Sequence, residues 1–137
     1  MSPRESYSDR LTCQLQGGDL VRPALAAARE FGNAQGLTQD QSARLCIVVE
    51  ELLTNLRDHG GLTDDAIVEL GMARQPDHIR ITLVDPGEPF DPRSARPEQE
   101  PPERGGGVGI EIVRAWAKFI DYQVLPEGNR LELLLGL

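Results

Sequence analysis

TQDQSARLCIVVEELLTNLRDHG, residues 38–60, has the apolar spacing of one long amphipathic helix. Leu45, Val48, Val49, Leu52 and Leu56 recur at three- and four-residue intervals and fall on one stripe. Thr38 followed three residues later by Gln41 is a capping-box pattern, and Gly60-Gly61 marks the stop. At about 100° per residue, Glu51, Asn55, Asp58 and His59 share one flank, beside an apolar stripe centred roughly 130° from Glu51. A solvated helix edge would explain that flank. So would a working pair, since a Glu can accept a proton as general base and an Asn oxygen can ligate a hard cation such as Mg²⁺. His59 is accounted for by the helix dipole alone, which favours histidine in a last turn.

Outward from this helix the chain reads as one domain, 11–137, behind a polar N-terminal tail, 1–10. Leu11, Cys13 and Leu15 alternate as a short strand, which Gly17-Gly18 breaks. Asp19 is placed to cap a first helix running through Leu20, Val21, Leu25, Ala28 and Phe31 and ending by Gly36. After the second helix, 66–73 and 79–84 read as a hairpin turning at Gln75-Pro76-Asp77-His78. Residues 85–107 hold six of the ten prolines and almost no large apolar side chain, so they cannot carry core structure. An irregular segment of that length is a linker or a functional lid, here placed at 90–107. Val108, Ile112, Val113 and Trp116 fit a third helix, followed by strands at 119–125 and 131–135. The predicted class is α+β, with helices on one face of a mixed, mainly antiparallel sheet.

Composition removes several function classes. The formal net charge of −8 repels nucleic-acid phosphates, and the basic residues are scattered, so no direct nucleic-acid partner is expected. Cys13 and Cys46 have neither metal-ligand nor disulfide-framework spacing. No apolar run approaches the ~20 residues needed to cross a bilayer, so neither a membrane partner nor a membrane span is expected, and the reading is a soluble, cytoplasmic protein.

Two further segments carry candidate chemistry. Asp85-Pro86-Gly87 follows directly on the strand ending Thr82-Leu83-Val84. It is a common turn, but an Asp at a strand mouth can also accept from the exocyclic amine of adenine, while Gly87 lets backbone approach the ring. Gly105-Gly106-Gly107-Val108-Gly109 opens a helix. It is either flexible linker or a loop whose N–H groups and dipole suit phosphate. No Gly-Lys-Ser/Thr follows, which sets P-loop chemistry aside.

In order and spacing these segments resemble the GHKL ATPases, in the form carried by the anti-sigma-factor serine kinases of partner-switching systems. Glu51-Leu52-Leu53-Thr54-Asn55, with His59 four residues on, resembles the N box. Asp85-Pro86-Gly87 with Pro89-Phe90-Asp91-Pro92 resembles the adenine motif. Gly105-Gly106-Gly107-Val108-Gly109-Ile110 with Val113-Arg114 resembles the second glycine box, and Glu127-Gly128-Asn129-Arg130-Leu131 the final hairpin. The resemblance spans roughly 11–137 and implies a Bergerat-type ATP site. It assigns Asn55 to Mg²⁺ and nucleotide, Asp85 and Gly87 to adenine, and Gly105, Gly107, Val108 and Gly109 to the phosphates under a closing lid. Glu51 becomes the base that deprotonates a substrate serine. The implied partners are a STAS-domain anti-anti-sigma protein, as phosphorylation substrate, and a sigma factor or similar regulator, held by sequestration. A homodimer through the first strand and helix is implied as well.

Departures from the family pattern bear on this. Glu88 is bulkier than the glycine often found there, and Asn129 or Arg130 stands where some relatives place a Thr near the nucleotide, so that contact is not carried over. With only His59 and His78 present, no phospho-accepting histidine helix precedes the domain, and self-contained histidine-kinase activity is not expected. The alternative function is a non-catalytic nucleotide-binding module that acts by sequestration only.

Overall fold

The 38–60 stretch folds as α2, Gln39–His59, and its N-terminus carries the complete capping box. Thr38 Oγ1 accepts from the Gln41 N–H at 3.1 Å and Gln41 Oε1 accepts from the Thr38 N–H at 2.9 Å. A computed structural model describes residues 4–94 and 108–137. In it α2 lies on one face of a sheet, with Leu45, Val48, Val49, Leu52, Leu53 and Leu56 all buried. Each such side chain contributes about 1.5–3 kcal/mol on leaving water, so this stripe is a principal term holding helix to sheet.

The sheet comprises β1 (Arg4–Tyr7), β2 (Arg10–Gln16), β3 (Ile67–Arg74), β4 (His78–Asp85), β5 (Ala117–Leu125) and β6 (Gly128–Gly136). Their order across the sheet is β1-β2-β3-β4-β6-β5, and every pairing among the described residues is antiparallel. Among the described residues two further helices, α1 (Val21–Ala34) and α3 (Val108–Trp116), join the helical layer. Period-two alternation sends Leu11, Cys13, Leu15, Val68, Leu70, Met72, Ile79, Ile81, Leu83, Leu131, Leu133 and Leu135 inward under the helices. The opposite face carries Arg80 and Arg130, which both pair with Glu132, at 3.4 and 2.9 Å. Trp116 at the end of α3 packs on the core, with the Arg44 guanidinium of α2 5.6 Å from its ring centre. The expected α+β layering is what the chain adopts.

Local differences have physical causes. Arg4–Tyr7, read as part of a polar tail, pairs with β2 through main-chain bonds, which need no apolar alternation. Asp19 does not cap α1. It folds back instead, its N–H donating to the Gln16 carbonyl at 2.9 Å, and Leu20 takes the N-cap position without a side-chain bond. The pairing of β5 with β6 shifts register between Phe119 and Asp121, so Ile120 bulges out of the ladder. Of the lid placed at 90–107, residues 90–94 run through a short 3₁₀ turn, Pro92–Ser94, and the remainder lies outside the described residues.

Thr38→Ala removes the acceptor for one first-turn N–H and should lower unfolding free energy by about 1 kcal/mol. Urea denaturation followed by circular dichroism measures it, and a loss below a few tenths would show the cap to be replaced by water.

Candidate functional site

The inward flank of α2 and the far end of β4 meet in a cleft. From α2 come Leu52, Asn55 and Leu56; from the sheet come Leu83, Asp85, Tyr122 and Leu131; Phe90 and Pro92 form the outer wall. The enclosed part of the cleft is small, about 20 Å³, and the rest of it lies open to solvent. Its lining is mainly apolar with a few polar groups set into it, the general character of a small-molecule site.

Asp85 is the last residue of β4 and is 8% exposed. Its Oδ1 accepts from the Gly87 N–H at 2.8 Å, closing a tight turn, and from Asn129 Nδ2 at 3.2 Å. Burial pushes the carboxyl above the usual range, and these two donors hold it part of the way back. Gly87 is required here: a Cβ would meet the Gly60 carbonyl oxygen and would come within 2.8 Å of Leu62 Cδ2. The end of α2 is fastened to the same turn, since the Glu88 N–H donates to the Gly60 carbonyl at 2.8 Å.

Asn55 is half-buried, and its Nδ2 is shielded from solvent with no hydrogen-bond partner among the described residues. A buried polar atom left unmatched is costly unless something else meets it. A half-turn of the amide exchanges its oxygen and nitrogen, so this end of the side chain suits a Mg²⁺ ion or a nucleotide oxygen. Glu51, half-buried, lies one turn earlier on the same flank. The chemistry of these residues therefore suits Mg-ATP: the Asn55 carboxamide would hold the cation and the Asp85 carboxylate would accept from the base.

Beyond the turn, Phe90 stacks on His59 with ring centres 4.4 Å apart and planes at 18°, and its N–H donates to the Tyr122 hydroxyl at 2.8 Å. Burial pushes the Tyr122 hydroxyl up, the Phe90 N–H opposes, and the nearby charges of Asp85 and Asp91 add to the rise. Asp91 takes a forked pair of bonds from Arg93 Nε, at 3.0 and 2.9 Å. Its partial burial alone would raise its pKa; the Arg93 bonds and the charges of Arg93 and Arg114 outweigh that and hold it below the usual range. Arg114 of α3 donates to the Arg93 carbonyl, tying α3 to this strap.

The structure thus brings Asn55 and Asp85 to one cleft, with Gly87 in the turn beside it and Glu51 on the adjoining flank. Val108 and Gly109 form the first turn of α3, whereas Gly105 and Gly107 lie outside the described residues. His59, assigned to the helix dipole, also serves as the platform under Phe90. Tyr122 and Asn129 were not singled out as site residues. Parity along β6 is the signal that could have found Asn129, because it shares the inward face with Leu131, Leu133 and Leu135.

Fold and site define a nucleotide-binding domain of the GHKL class. The chain belongs to the family of histidine kinase-like ATPase domains, which matches it over residues 18–135. Among sixteen matching solved chains is the histidine kinase domain of the blue-light activated histidine kinase from Erythrobacter litoralis EL346, with a TM-score of 0.50 and 17% identity. That match covers 97% of this chain but 65% of the other, so this chain spans just under two thirds of its length. No curated protein matches at significant similarity.

Two expectations follow. Asn55→Ala should abolish Mg-ATP binding in calorimetry, because the cation loses its protein ligand; undiminished binding would remove Asn55 from the site. Because the fold raises the Asp85 pKa, it favours the protonated form, so the nucleotide-free protein should gain stability as pH falls toward that value. Asp85→Asn should accordingly raise the melting temperature at neutral pH while weakening ATP roughly tenfold or more and GTP less, the cost of losing one hydrogen bond to a charged acceptor. Equal losses for both nucleotides would mark Asp85 as a turn residue only.

Proposed function

We propose that this domain is an ATP-dependent protein-serine kinase of the partner-switching type, phosphorylating a STAS-domain anti-anti-sigma protein and sequestering a sigma factor or similar regulator. The observation that carries the reading is the half-buried Glu51 one helical turn from Asn55, a residue with an unmatched amide nitrogen that lines a cleft also containing Asp85. Bound Mg-ATP supplies the γ-phosphoryl group and the cation that neutralises its charge. Asp85 accepts from the exocyclic amine of the base, and Asn55 holds the cation. Glu51 accepts the proton of the substrate serine as the new O–P bond forms and the bond to ADP breaks, leaving a phosphoserine and a protonated carboxyl.

A second reading is a nucleotide-binding module that acts by sequestration alone. It keeps the same nucleotide contacts at Asn55 and Asp85 and asks no chemistry of Glu51.

The two differ at Glu51. Glu51→Gln keeps shape and most hydrogen bonds, so ATP and partner binding should survive while transfer falls roughly 10²–10⁴-fold, the usual worth of general-base assistance. Single-turnover assays with [γ-³²P]ATP and the cognate STAS-domain protein measure it. Asp58→Asn, on the same helical edge, should change little. A Glu51→Gln rate within about threefold of wild type would end the general-base role, a gap far below that expected range. No transfer by the wild type would establish the sequestration reading.

A further inference from the structure

At the end of the sheet, Asn129 of β6 stands directly opposite Asp85 of β4 and is 1% exposed. Its Nδ2 faces three acceptors: Asp85 Oδ1 at 3.2 Å, the Gly87 carbonyl at 3.0 Å and the Glu88 carbonyl at 3.4 Å. A carboxylate and two carbonyls can only accept, so the NH₂ end of the amide must point this way. The opposite end, Oδ1, is buried with no hydrogen-bond partner among the described residues. An apolar side chain would fill the corner without that cost; asparagine tolerates it and brings two N–H groups to one place. Next to it, Gly128 lets β6 press against β4, because a Cβ there would collide with the Asp85 carbonyl oxygen and come within 2.9 Å of Pro86 Cα. Asn129 therefore has little room to shift.

The consequence falls on Asp85. Its Oδ1 is taken by the Gly87 N–H and by Asn129, whereas its Oδ2 has no hydrogen-bond partner among the described residues. We propose that Asn129 is the positioning residue for base selection: it locks Asp85 Oδ1 and the 87–88 backbone together, reserves Oδ2 for the exocyclic amine of the base, and so sets the preference for an amine-bearing purine. This rests on the nucleotide reading above, and acts through Asp85 without contact to the nucleotide.

A residue that only stabilises the turn would, when changed, weaken all nucleotides alike. A positioning residue changes the ratio between them. The probes are Mg-ATP and Mg-purine riboside triphosphate, which lacks the 6-amine, both titrated calorimetrically into the full chain. Wild type should prefer ATP by roughly tenfold or more, the worth of one hydrogen bond to a charged acceptor. Asn129→Leu, nearly isosteric but without donors, should bring that ratio below about threefold mainly by losing ATP affinity, because the reading bond is the one disturbed. In a double-mutant cycle, Asp85→Asn/Asn129→Leu should bind ATP no more weakly than Asp85→Asn alone. If Asn129→Leu does not fold by circular dichroism, Asn129→Ser, which keeps one short donor, must also narrow the ratio. An unchanged ratio with both affinities reduced, or additive losses in the cycle, would overturn the proposal. Failure of the wild type to bind either triphosphate would instead overturn the nucleotide reading itself.

Discussion

A buried carboxylate at the end of β4 sets the terms for everything around it. Asp85 leaves water when the sheet forms, and the fold answers with two donors, one from its own turn and one from the neighbouring strand. Those donors are available only because Gly87 and Gly128 carry no Cβ where backbone from α2 and β4 crowds in. A charge kept in so confined a place is expensive to build, and an asparagine would hold the same turn at lower cost, which points to a use for the carboxylate.

The long helix supplies the opposite wall by a division of labour around its circumference. Six apolar side chains fix its rotation on the sheet, and with the rotation fixed the flank bearing Glu51, Asn55 and His59 has one orientation only. Its C-terminal end is then fastened twice, by Gly60 to Glu88 and by His59 to Phe90. Helix, turn and strap therefore hold their relative places through short contacts, and Tyr122 closes the circuit from β5. Rigid elements presenting a few polar groups to an apolar cleft are what precise ligand placement requires.

How much of this was legible beforehand depended on whether the cause was local. The capping box was readable because Thr38 and Gln41 satisfy each other within one turn. The inward stripe of β2 was readable because burial imposes period two on Leu11, Cys13 and Leu15. By contrast Arg4–Tyr7 is held by its partner strand, not by its own pattern, and Asp19 was drawn away from its helix by a bond to Gln16. Glu51, Asn55 and Asp85 announced themselves through motif spacing, while Tyr122 and Asn129 reach the site by strand register from more than thirty residues away. Register is a property of two strands together, and neither strand's sequence states it alone.

The bulge at Ile120 has a bearing on how the molecule behaves in company. β5 ends the sheet, and Ile120 and Val124 are 41% and 62% exposed there, an apolar margin of the kind that invites another chain to add a strand. Displacing one residue from the ladder interrupts the row of outward N–H and C=O groups and twists the strand locally, so an incoming strand loses its register after a few residues. Lys118 and Asp121 add charge on either side of the break. The same irregularity that looks like a flaw in the pairing thus makes β5 a poorer template for an added strand than an unbroken edge would be.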